Sequence, residues 1–524
     1  MRKPILSAAE AAAFIRDNAT LVVEGSGGGL LEPDLLLRGL RERFLESGHP
    51  RDLTLIHCTG IGDKADGGLG MLAHDGLIKR VVAGNWAMAP AMGQMALEGR
   101  FEAYNFPQGV MAQLFREIAS GRPGLITHVG LHTFIDPRYQ GGKLNDATHE
   151  DLVELITIHD REWLLYKPFP IDVAFIRGTT IDEEGNLSIE EEGARLELLA
   201  VAQAAHNAGG KVIAQAKRLA VAGSLPAQAV VVPGFLVDAI VVHPGQWQTV
   251  EGQYNPAFSG QVKVPLHRVE PMALTERKVV ARRAFQELFA GAIVNLGVGM
   301  ADGVAAVAAE EGFADKITLT VEQGVIGGIP AKGLIFGVSH NPTAFVDQPY
   351  QFDFYDGGGL DVSCLGCGEI DAAGNVNVSK LGDKLIGTGG FVNISQNAKR
   401  LVFCSTFTAG GLHVEVADGQ IRIISEGRHR KFRKGIEQIT YNAQYGLSRG
   451  QDIQYVTERA VFRATPDGLL LTEIAPGVDL QRDILDQMEF APILPEGAPK
   501  LMDARLFRPE LLSAPVLAGL EVTR

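Results

Sequence analysis

The sequence predicts an α/β protein built from two related α/β/α domains with mostly parallel sheets. Short apolar runs alternate with stretches of helix-forming residues, a pattern typical of parallel strands connected by helices. A length of 524 residues is too great for one hydrophobic core and favours about two to four domains. A set of turn residues that recurs at long spacing then indicates two domains of common origin.

The alternation can be followed through the first half of the chain. Alanine-rich sequence predicts the first helix, β-branched runs predict the strands, and glycine or proline marks their ends. The expected elements are a helix over 8–17, a strand over 19–23 followed by a glycine loop from Gly25 to Gly29, a helix over 34–47, strands over 53–57, 80–83 and 172–176, a helix over 192–207, and strands over 211–214 and 239–243.

The turn residues of the first half return in the second. Asp172-Val and the later Asp182-x-x-Gly-Asn186 reappear as Asp361-Val and Asp371-x-x-Gly-Asn375, in each case 189 residues further on. An ungapped repeat of this kind indicates an internal duplication. We therefore expect an N-terminal domain over 1–266, a linker over 266–274 and a C-terminal domain over 274–524, whose first strand leads into a helix capped by Asp302.

Composition excludes several classes of protein. The formal net charge of −14 argues against general nucleic-acid binding, which needs clustered lysine and arginine. The apolar run in the first residues is shorter than that of a signal peptide, and no run of about eighteen apolar residues occurs, so we expect a cytoplasmic protein that does not contact a membrane. Four cysteines cannot staple a secreted fold, and Cys364-Leu-Gly-Cys367 lacks a second pair. Buried thiols and no metal site are expected.

One acidic residue stands where a strand should end. Leu319-Thr-Val leads to Glu322, and Gly324, Gly327 and Gly328 follow. Glutamate is depleted in strands, whereas glycine permits the positive φ of a sharp turn. A carboxylate is ionised at neutral pH and can attack a carbonyl group without a neighbouring base. The sequence thus indicates a nucleophile at Glu322, the competing interpretation being a helix cap or an ion pair.

Two motifs carry a resemblance to a known family. Glu322-x-Gly324-x-x-Gly327, followed downstream by Gly387-Thr-Gly389-Gly390-Phe391, resembles the catalytic motifs of the class I coenzyme A transferases of the single-chain acetate/propionate type. The similarity extends over essentially the whole chain. It implies two duplicated domains of the CoA-transferase type, which is similar to the ribose-phosphate isomerase fold, with the second domain carrying the catalytic glutamate and the site between the halves.

The resemblance also implies the reaction and its residues. Coenzyme A would move between short-chain acyl-CoA and acetate or propionate through a thioester on Glu322, with the amide of Gly389 or Gly390 and the side chain of Gln108 facing the substrate carbonyl. CoA would be a substrate rather than a permanent cofactor, and the enzyme would be a homodimer or homotetramer. The residues expected near CoA are Asn295, Gly297, Gly299, Gly387, Phe391, Phe407 and Gly410.

The duplication makes a further prediction about the two halves. Thr54-Leu55 leads to Cys58 as Thr318-Leu319 leads to Glu322. Cys58 lacks the negative charge that makes a carboxylate a ready nucleophile. We therefore expect only the second half to be charged with CoA.

Two other functions fit part of the sequence. Gly297-x-Gly299 precedes a predicted helix, and Glu322 lies 19 residues after Gly303, close to the ~20 of a dinucleotide-binding fold. The spacing is G-x-G-x-x-x-G, however, and differs from that fingerprint. A non-catalytic sugar-phosphate-binding module would share the architecture but has no need of Glu322 beside a glycine loop.

Overall fold

A computed structural model describes residues 1–265 and 271–512. The chain forms two compact units that do not follow the order of the sequence. Unit 1 contains residues 1–264 together with 321–353 and 382–393, and unit 2 contains 265–320, 354–381 and 394 onwards. Segments from both halves of the sequence therefore build unit 1. The proposed domains 1–266 and 274–524 stay predictions, and most of the predicted linker lies outside the described residues.

The helices and strands of the first half have the following bounds. The helices are α1 Ala8–Ala12, α2 Asp34–Ser47, α3 Pro90–Leu97, α4 Gln108–Ala119 and α5 Leu198–Asn207. The strands are β1 Thr20–Val23, β2 Leu53–His57, β3 Ile78–Ala83, β4 Glu102–Asn105, β5 Leu125–Thr127, β6 Val153–Ile158, β7 Arg161–Tyr166, β8 Val173–Asp182, β9 Leu187–Ser188, β10 Lys211–Ala220, β11 Val230–Val232 and β12 Ala239–Val242.

The elements of the second half continue the numbering. The helices are α6 Glu276–Phe285, α7 Gly303–Glu310, α8 Gln348–Asp356, α9 Phe391–Asn397 and α10 Ala443–Ser448. The strands are β13 Ile293–Leu296, β14 Thr318–Val321, β15 Val325–Ile326, β16 Ile329–Pro330, β17 Ser339–His340, β18 Ala344–Phe345, β19 Val362–Gly366, β20 Glu369–Ile370, β21 Val376–Asn377, β22 Lys380–Leu381, β23 Lys384–Leu385, β24 Arg400–Cys404, β25 Thr408–Ala409, β26 His413–Ala417, β27 Gln420–Ser425, β28 His429–Arg430, β29 Asp452–Val456, β30 Ala460–Thr465, β31 Gly468–Ile474 and β32 Lys500–Leu501.

The main sheet of each unit is parallel at its centre, as predicted. In unit 1 the strands β4, β3, β2, β1, β8, β10 and β12 lie side by side in that order, all parallel. In unit 2 the order β14, β13, β19, β24 and β29 is also parallel, and β30 and β31 add antiparallel strands. The central strands are almost entirely buried, as expected where helices cover both faces of a sheet.

Equivalent side chains make the same contacts in the two units. The carboxylate of Asp172 accepts a hydrogen bond of 2.7 Å from the amide of Thr20, at the start of β1. The carboxylate of Asp361 accepts one of 3.0 Å from the amide of Ile293, at the start of β13. Each aspartate directly precedes the strand that pairs with the first strand of its sheet, β8 beside β1 and β19 beside β13, and this equivalence supports the duplication inferred from the sequence.

The second pair of repeated turns also matches. Asp182 accepts hydrogen bonds of 2.9 Å from the amides two and four residues later. Asp371 does the same at 3.0 and 2.9 Å. This Asx-type turn explains why aspartate, glycine and asparagine recur at the same offsets.

Three local predictions were wrong. The first helix ends at Ala12, and the helix predicted over 192–207 begins only at Leu198, because Glu192 is buried in an ion pair with Arg177 rather than facing outward on a helix. Asp302 precedes α7 but makes no side-chain cap, because its carboxylate instead pairs with Arg277 and accepts the amide of Gly299.

The four cysteines are free thiols. Cys58, Cys364 and Cys404 are buried, and Cys367 is half-buried. Across the described ranges, no helix is both long and apolar enough to cross a membrane.

Candidate active site

The 387–390 loop is fixed at the carboxyl ends of β3 and β4 in unit 1. The amide of Gly389 donates to the carbonyl of Gly84, at 2.7 Å, and the carbonyl of Gly389 accepts the amide of Gln108, at 2.9 Å. Asn85 and Gly387 form a β-bridge beside these contacts. Ligands of open α/β sheets bind at this edge, where the strands end.

Asn105 secures the same loop from beneath. Its side-chain amide donates to the carbonyls of Ala83 and Gly84, at 2.9 and 2.8 Å, while its Oδ1 accepts the amide of Thr388 at 3.0 Å. Asn105 is fully buried. The loop is thus held by the sheet through several backbone hydrogen bonds.

Glu322 lies on the turn directly after β14, half-buried, as its sequence context predicted. Gly324, Gly327 and Gly328 all have positive φ, at 92°, 73° and 74°. A Cβ at Gly324 would lie 2.0 Å from the carbonyl oxygen of Val346, so only glycine fits where the chain turns back.

The turn that carries Glu322 rests on an apolar cluster within unit 1. Val321 and Val325, which flank the turn, pack with Leu30, Leu196 and Val338. Because a buried valine anchors the turn on each side, the position of the half-buried Glu322 between them is fixed.

Gln108 is brought close to the 387–390 loop and to the Glu322 turn. It is the first residue of α4, buried to 2% exposure, and its Oε1 lies 3.6 Å from the position of a Cβ on Gly389. Its Nε2 donates to Oε1 of Gln348 at 3.1 Å. A Cβ on Gly324 would lie 3.6 Å from the amide of that same Gln348. Unit 1 thus gathers all the residues predicted to act on the acyl group.

The structure bears on the choice between the two predicted oxyanion donors, Gly389 and Gly390. The amide of Gly389 is already used in its hydrogen bond to Gly84, so it cannot also face a substrate oxygen. The prediction that Gly389 or Gly390 donates therefore narrows to Gly390, which is buried directly before α9. Gly387 and Phe391 flank it, and the amide of Phe391 closes a turn on Thr388 at 3.0 Å.

The other residues predicted to contact CoA lie in unit 2. Asn295 is buried near the end of β13, and its Oδ1 has no hydrogen-bond partner within the described parts of the chain. Gly297 and Gly299 follow it in a loop where a Cβ on Gly299, φ 98°, would meet nothing within 4 Å. The backbone is therefore open to close approach at Gly299, whereas a Cβ on Gly297 would lie 3.1 Å from the side chain of Leu365.

Phe407 does not fit its predicted role. Its ring is fully buried against Phe432, and its amide donates to the carboxylate of Glu458 at 2.8 Å. Neither the ring nor the amide is available to a ligand. Gly410, φ 78°, is packed against His429, which a Cβ would meet at 2.5 Å.

A buried acidic cluster under the sheet edge was missed by the sequence analysis. Glu24 follows β1, Cys58 follows β2, and Glu197 precedes α5, and all three are buried. Burial and the negative charges of Glu197 and Glu192 raise the pKa of Glu24 well above its usual range. Burial also raises the pKa of Glu197 to about 7, opposed by a hydrogen bond from the Cys58 thiol. The sequence feature that could have indicated this cluster is Glu24, an acidic residue at the end of an apolar strand and directly before the Gly25 loop.

The environment of Cys58 agrees with the prediction that CoA is not attached to this residue. Burial, together with the carboxylate of Glu197, raises the pKa of its thiol well above the usual range. The thiolate is the reactive form of cysteine, so this thiol is a poor nucleophile.

Replacing Glu24 by glutamine should make the protein less sensitive to alkaline pH. The folded state raises the pKa of Glu24, so its stabilising contribution is present below the ordinary pKa of a glutamate and is lost as pH rises toward the folded value. Each pH unit in that window is worth about 1.4 kcal/mol. Thermal unfolding between about pH 5 and about pH 8 should show a smaller loss of stability for Glu24→Gln than for the wild type.

The matched control for this measurement is Glu46→Gln, on the exposed surface of α2. It should follow the wild type at every pH. Parallel curves for Glu24→Gln and the wild type would contradict the account of Glu24.

Comparison with known proteins decides the family. Residues 5–243 match the family model for coenzyme A transferase. Over 507 residues the chain is 47% identical to acetate CoA-transferase YdiF of Escherichia coli O157:H7, and the match covers 97% of this chain and 95% of that protein. The chain belongs to the coenzyme A transferase family.

Two further relatives describe what such transferases bind. Caffeate CoA-transferase of Acetobacterium woodii is 46% identical over 511 residues, covering 96% of this chain and 97% of the relative. The crystal structure of the E. coli O157:H7 acyl-CoA transferase YdiF in a thioester complex with CoA is similar with a TM-score of 0.93, at 46% identity and with 97% of each chain covered. This chain is therefore a CoA-transferase, with CoA as its substrate. Family membership overturns the dinucleotide-binding and sugar-phosphate alternatives.

Proposed function

We propose that this transferase moves CoA between short-chain acyl-CoA and carboxylates of the acetate and propionate kind, through a thioester on Glu322. The observation that carries the proposal is the position of Glu322 on a rigid glycine turn, in the same compact unit as Gln108 and the 387–390 loop. A carboxylate held in this way needs no base to become a nucleophile.

The first half-reaction charges the enzyme. A carboxylate oxygen of Glu322 attacks the acyl carbon of acyl-CoA, the C–S bond breaks, and CoA leaves as its thiolate, so that a mixed anhydride joins Glu322 to the acyl group. The thiolate then attacks the side-chain carbonyl carbon of Glu322 and expels the original acyl group as a free carboxylate. The products are one carboxylate and an enzyme–CoA thioester, and no net proton is consumed.

The second half-reaction returns CoA by the reverse steps. An acceptor carboxylate attacks the Glu322 thioester, CoA thiolate leaves as the C–S bond breaks, and a new mixed anhydride joins Glu322 to the acceptor. The thiolate attacks the acceptor's acyl carbon, so that acyl-CoA forms and the Glu322 carboxylate is regenerated. Donor and acceptor never need to be bound together, which is why ping-pong kinetics are expected.

Two donors are proposed for the oxygen that becomes negative in each attack. These donors are the amide of Gly390 and the side-chain N–H of Gln108. They lie close together because the amide of Gln108, at the start of α4, donates to the carbonyl of Gly389 in the loop. Donors that are fixed before the reaction stabilise the developing charge without reorganisation.

Initial-rate kinetics test the proposed reaction. With propionyl-CoA as donor and acetate as acceptor, double-reciprocal plots at several acetate concentrations should be parallel, and acetyl-CoA should appear as propionate is released. Intersecting lines would require both substrates to be bound at once and would contradict the covalent route. A cytoplasmic location and a homodimer or homotetramer remain predictions beside this proposal.

A further inference from the structure

Gln348 connects the proposed oxyanion donor to the buried acidic cluster. It opens α8 and is fully buried. Its Oε1 accepts the Nε2 hydrogen of Gln108 at 3.1 Å, and its own Nε2 donates to Oε2 of Glu197 at 2.8 Å. Its backbone amide donates to the carbonyl of Leu196 at 2.8 Å. Gln348 is therefore held at three points, two of them on the segment 196–197.

The segment that holds Gln348 is itself strained. Leu196 has a φ of 49°, in the left-handed region that a branched apolar residue rarely adopts. Backbone strain of this kind persists where the surrounding structure enforces it. In this backbone conformation the carbonyl of Leu196 and the side-chain carboxyl of Glu197 both accept hydrogen bonds from Gln348.

The chemistry of Glu197 fixes the orientation of both glutamines. Above its pKa of about 7, Glu197 is a carboxylate with only acceptor atoms, so the Gln348 atom that faces it is then the amide nitrogen. The carbonyl oxygen of Gln348 then points to Gln108, which must in turn present its own amide nitrogen. One N–H of Gln108 is thereby used, and its second N–H has a fixed direction.

We propose that Glu197 and Gln348 are positioning residues, which hold the Gln108 carboxamide so that its second N–H donates to the carbonyl oxygen of the substrate thioester. This inference rests on the proposed role of Gln108. The contacts explain why two glutamines and a glutamate are buried side by side at the sheet edge, where apolar residues would pack without hydrogen-bonding demands.

A double-mutant cycle tests whether Gln348 acts through Gln108. Removing one oxyanion donor typically costs on the order of 10² to 10³ in kcat, and we expect this for Gln108→Ala. Gln348→Ala should lower kcat about tenfold to 100-fold with little change in KM, because Gln108 remains but is misoriented. In the Gln108→Ala background the second substitution should change kcat by less than about twofold.

Exchanging the two polar groups provides a rescue. Gln348→Glu alone places two carboxyl groups within hydrogen-bond distance and should lower kcat about tenfold or more. Combined with Glu197→Gln, it restores a donor–acceptor pair in which an acceptor oxygen at position 348 again faces Gln108. The double variant should recover to within about fivefold of the wild type, with both enzymes assayed at about pH 8, where Glu197 of the wild type is ionised.

Gln351→Ala is the matched control, because Gln351 lies on the same helix and is also buried, at 2% exposure. It should leave kcat unchanged, which separates the relay from general packing of α8. Equal effects of Gln348→Ala in both backgrounds, or a double exchange no better than its single variants, would overturn the inference. Full kcat in Gln108→Ala would overturn it together with the proposed role of Gln108, whereas a wild type that transfers CoA without a Glu322 adduct would overturn only the covalent mechanism.

Discussion

Glu322→Ala should abolish CoA transfer, with kcat falling by about 10⁴-fold or more. Deleting a covalent nucleophile costs on the order of 10⁶ in well-studied hydrolases, because the remaining site can only bind and polarise the substrate. The fold should survive, since Glu322 is half-buried and the apolar residues on either side of the turn are unchanged. Steady-state transfer from propionyl-CoA to acetate measures the loss, and thermal unfolding checks the fold.

Two companion variants define the result. Glu322→Asp keeps the charge but withdraws the carboxylate by one methylene, so its activity should lie between those of wild type and Glu322→Ala. Glu251→Ala removes an exposed carboxylate of the same unit and should transfer CoA at the wild-type rate. A Glu322→Ala enzyme that retains even a tenth of the wild-type kcat would require a different nucleophile.

Gly84→Ala should disable the enzyme by displacing backbone, without removing any group that acts on the substrate; the new Cβ would also lie 3.2 Å from the Cα of Gln108. A Cβ at Gly84 would lie 1.8 Å from the carbonyl oxygen of Cys58, so the backbone between β2 and β3 must move. Overpacking of this kind costs about 1–3 kcal/mol, and occasionally more. The carbonyl of Gly84 also accepts the amide of Gly389, so the same movement displaces the 387–390 loop. A displacement of about 1 Å at a catalytic group can cost on the order of 10² in rate.

Gly252→Ala is the control for this substitution. Gly252 belongs to the same unit, and a Cβ there would meet nothing within 4 Å. It should retain both the stability and the activity of the wild type. Normal kcat in a folded Gly84→Ala enzyme would show that the 387–390 loop does not need its present position for catalysis.

Local patterns in the sequence were sufficient for the elements and for the Glu322 turn. The helix over 34–47 and the strand over 53–57 were predicted with their correct ends, because proline, glycine and the apolar period mark them directly. Glu322 was placed at a strand end for the same reason, and the positive φ of Gly324 confirms the sharp turn. These features depend on neighbours in sequence.

Contacts between distant residues could not be predicted in this way. Gln348 and Glu197 are 151 residues apart, and no periodicity relates them. The helix expected from 192 failed because Glu192 finds its partner, Arg177, on a neighbouring strand. The family resemblance implied that Phe407 lies near CoA, but its ring packs in an aromatic core with Phe432 and Phe462 from later segments.

The internal repeat did not predict which segments of the chain form each compact unit. The repeat divides the sequence into two halves, yet residues 321–353 and 382–393 of the second half belong to the first unit. Glu322, the 387–390 loop and Gln108 are therefore neighbours in one body although two of the three lie in the second half of the sequence. The sequence suggested that each half contributes different residues to the site. The residues predicted to act on the acyl group instead all belong to unit 1.

The most direct test of the covalent mechanism is mass spectrometry of the enzyme incubated with propionyl-CoA and no acceptor, followed by peptide mapping. We predict a mass increase equal to CoA less one water, located on the peptide that contains Glu322, released by acetate and absent in Glu322→Ala. An unmodified protein that still transfers CoA, or an adduct on another residue such as Cys58, would contradict the mechanism.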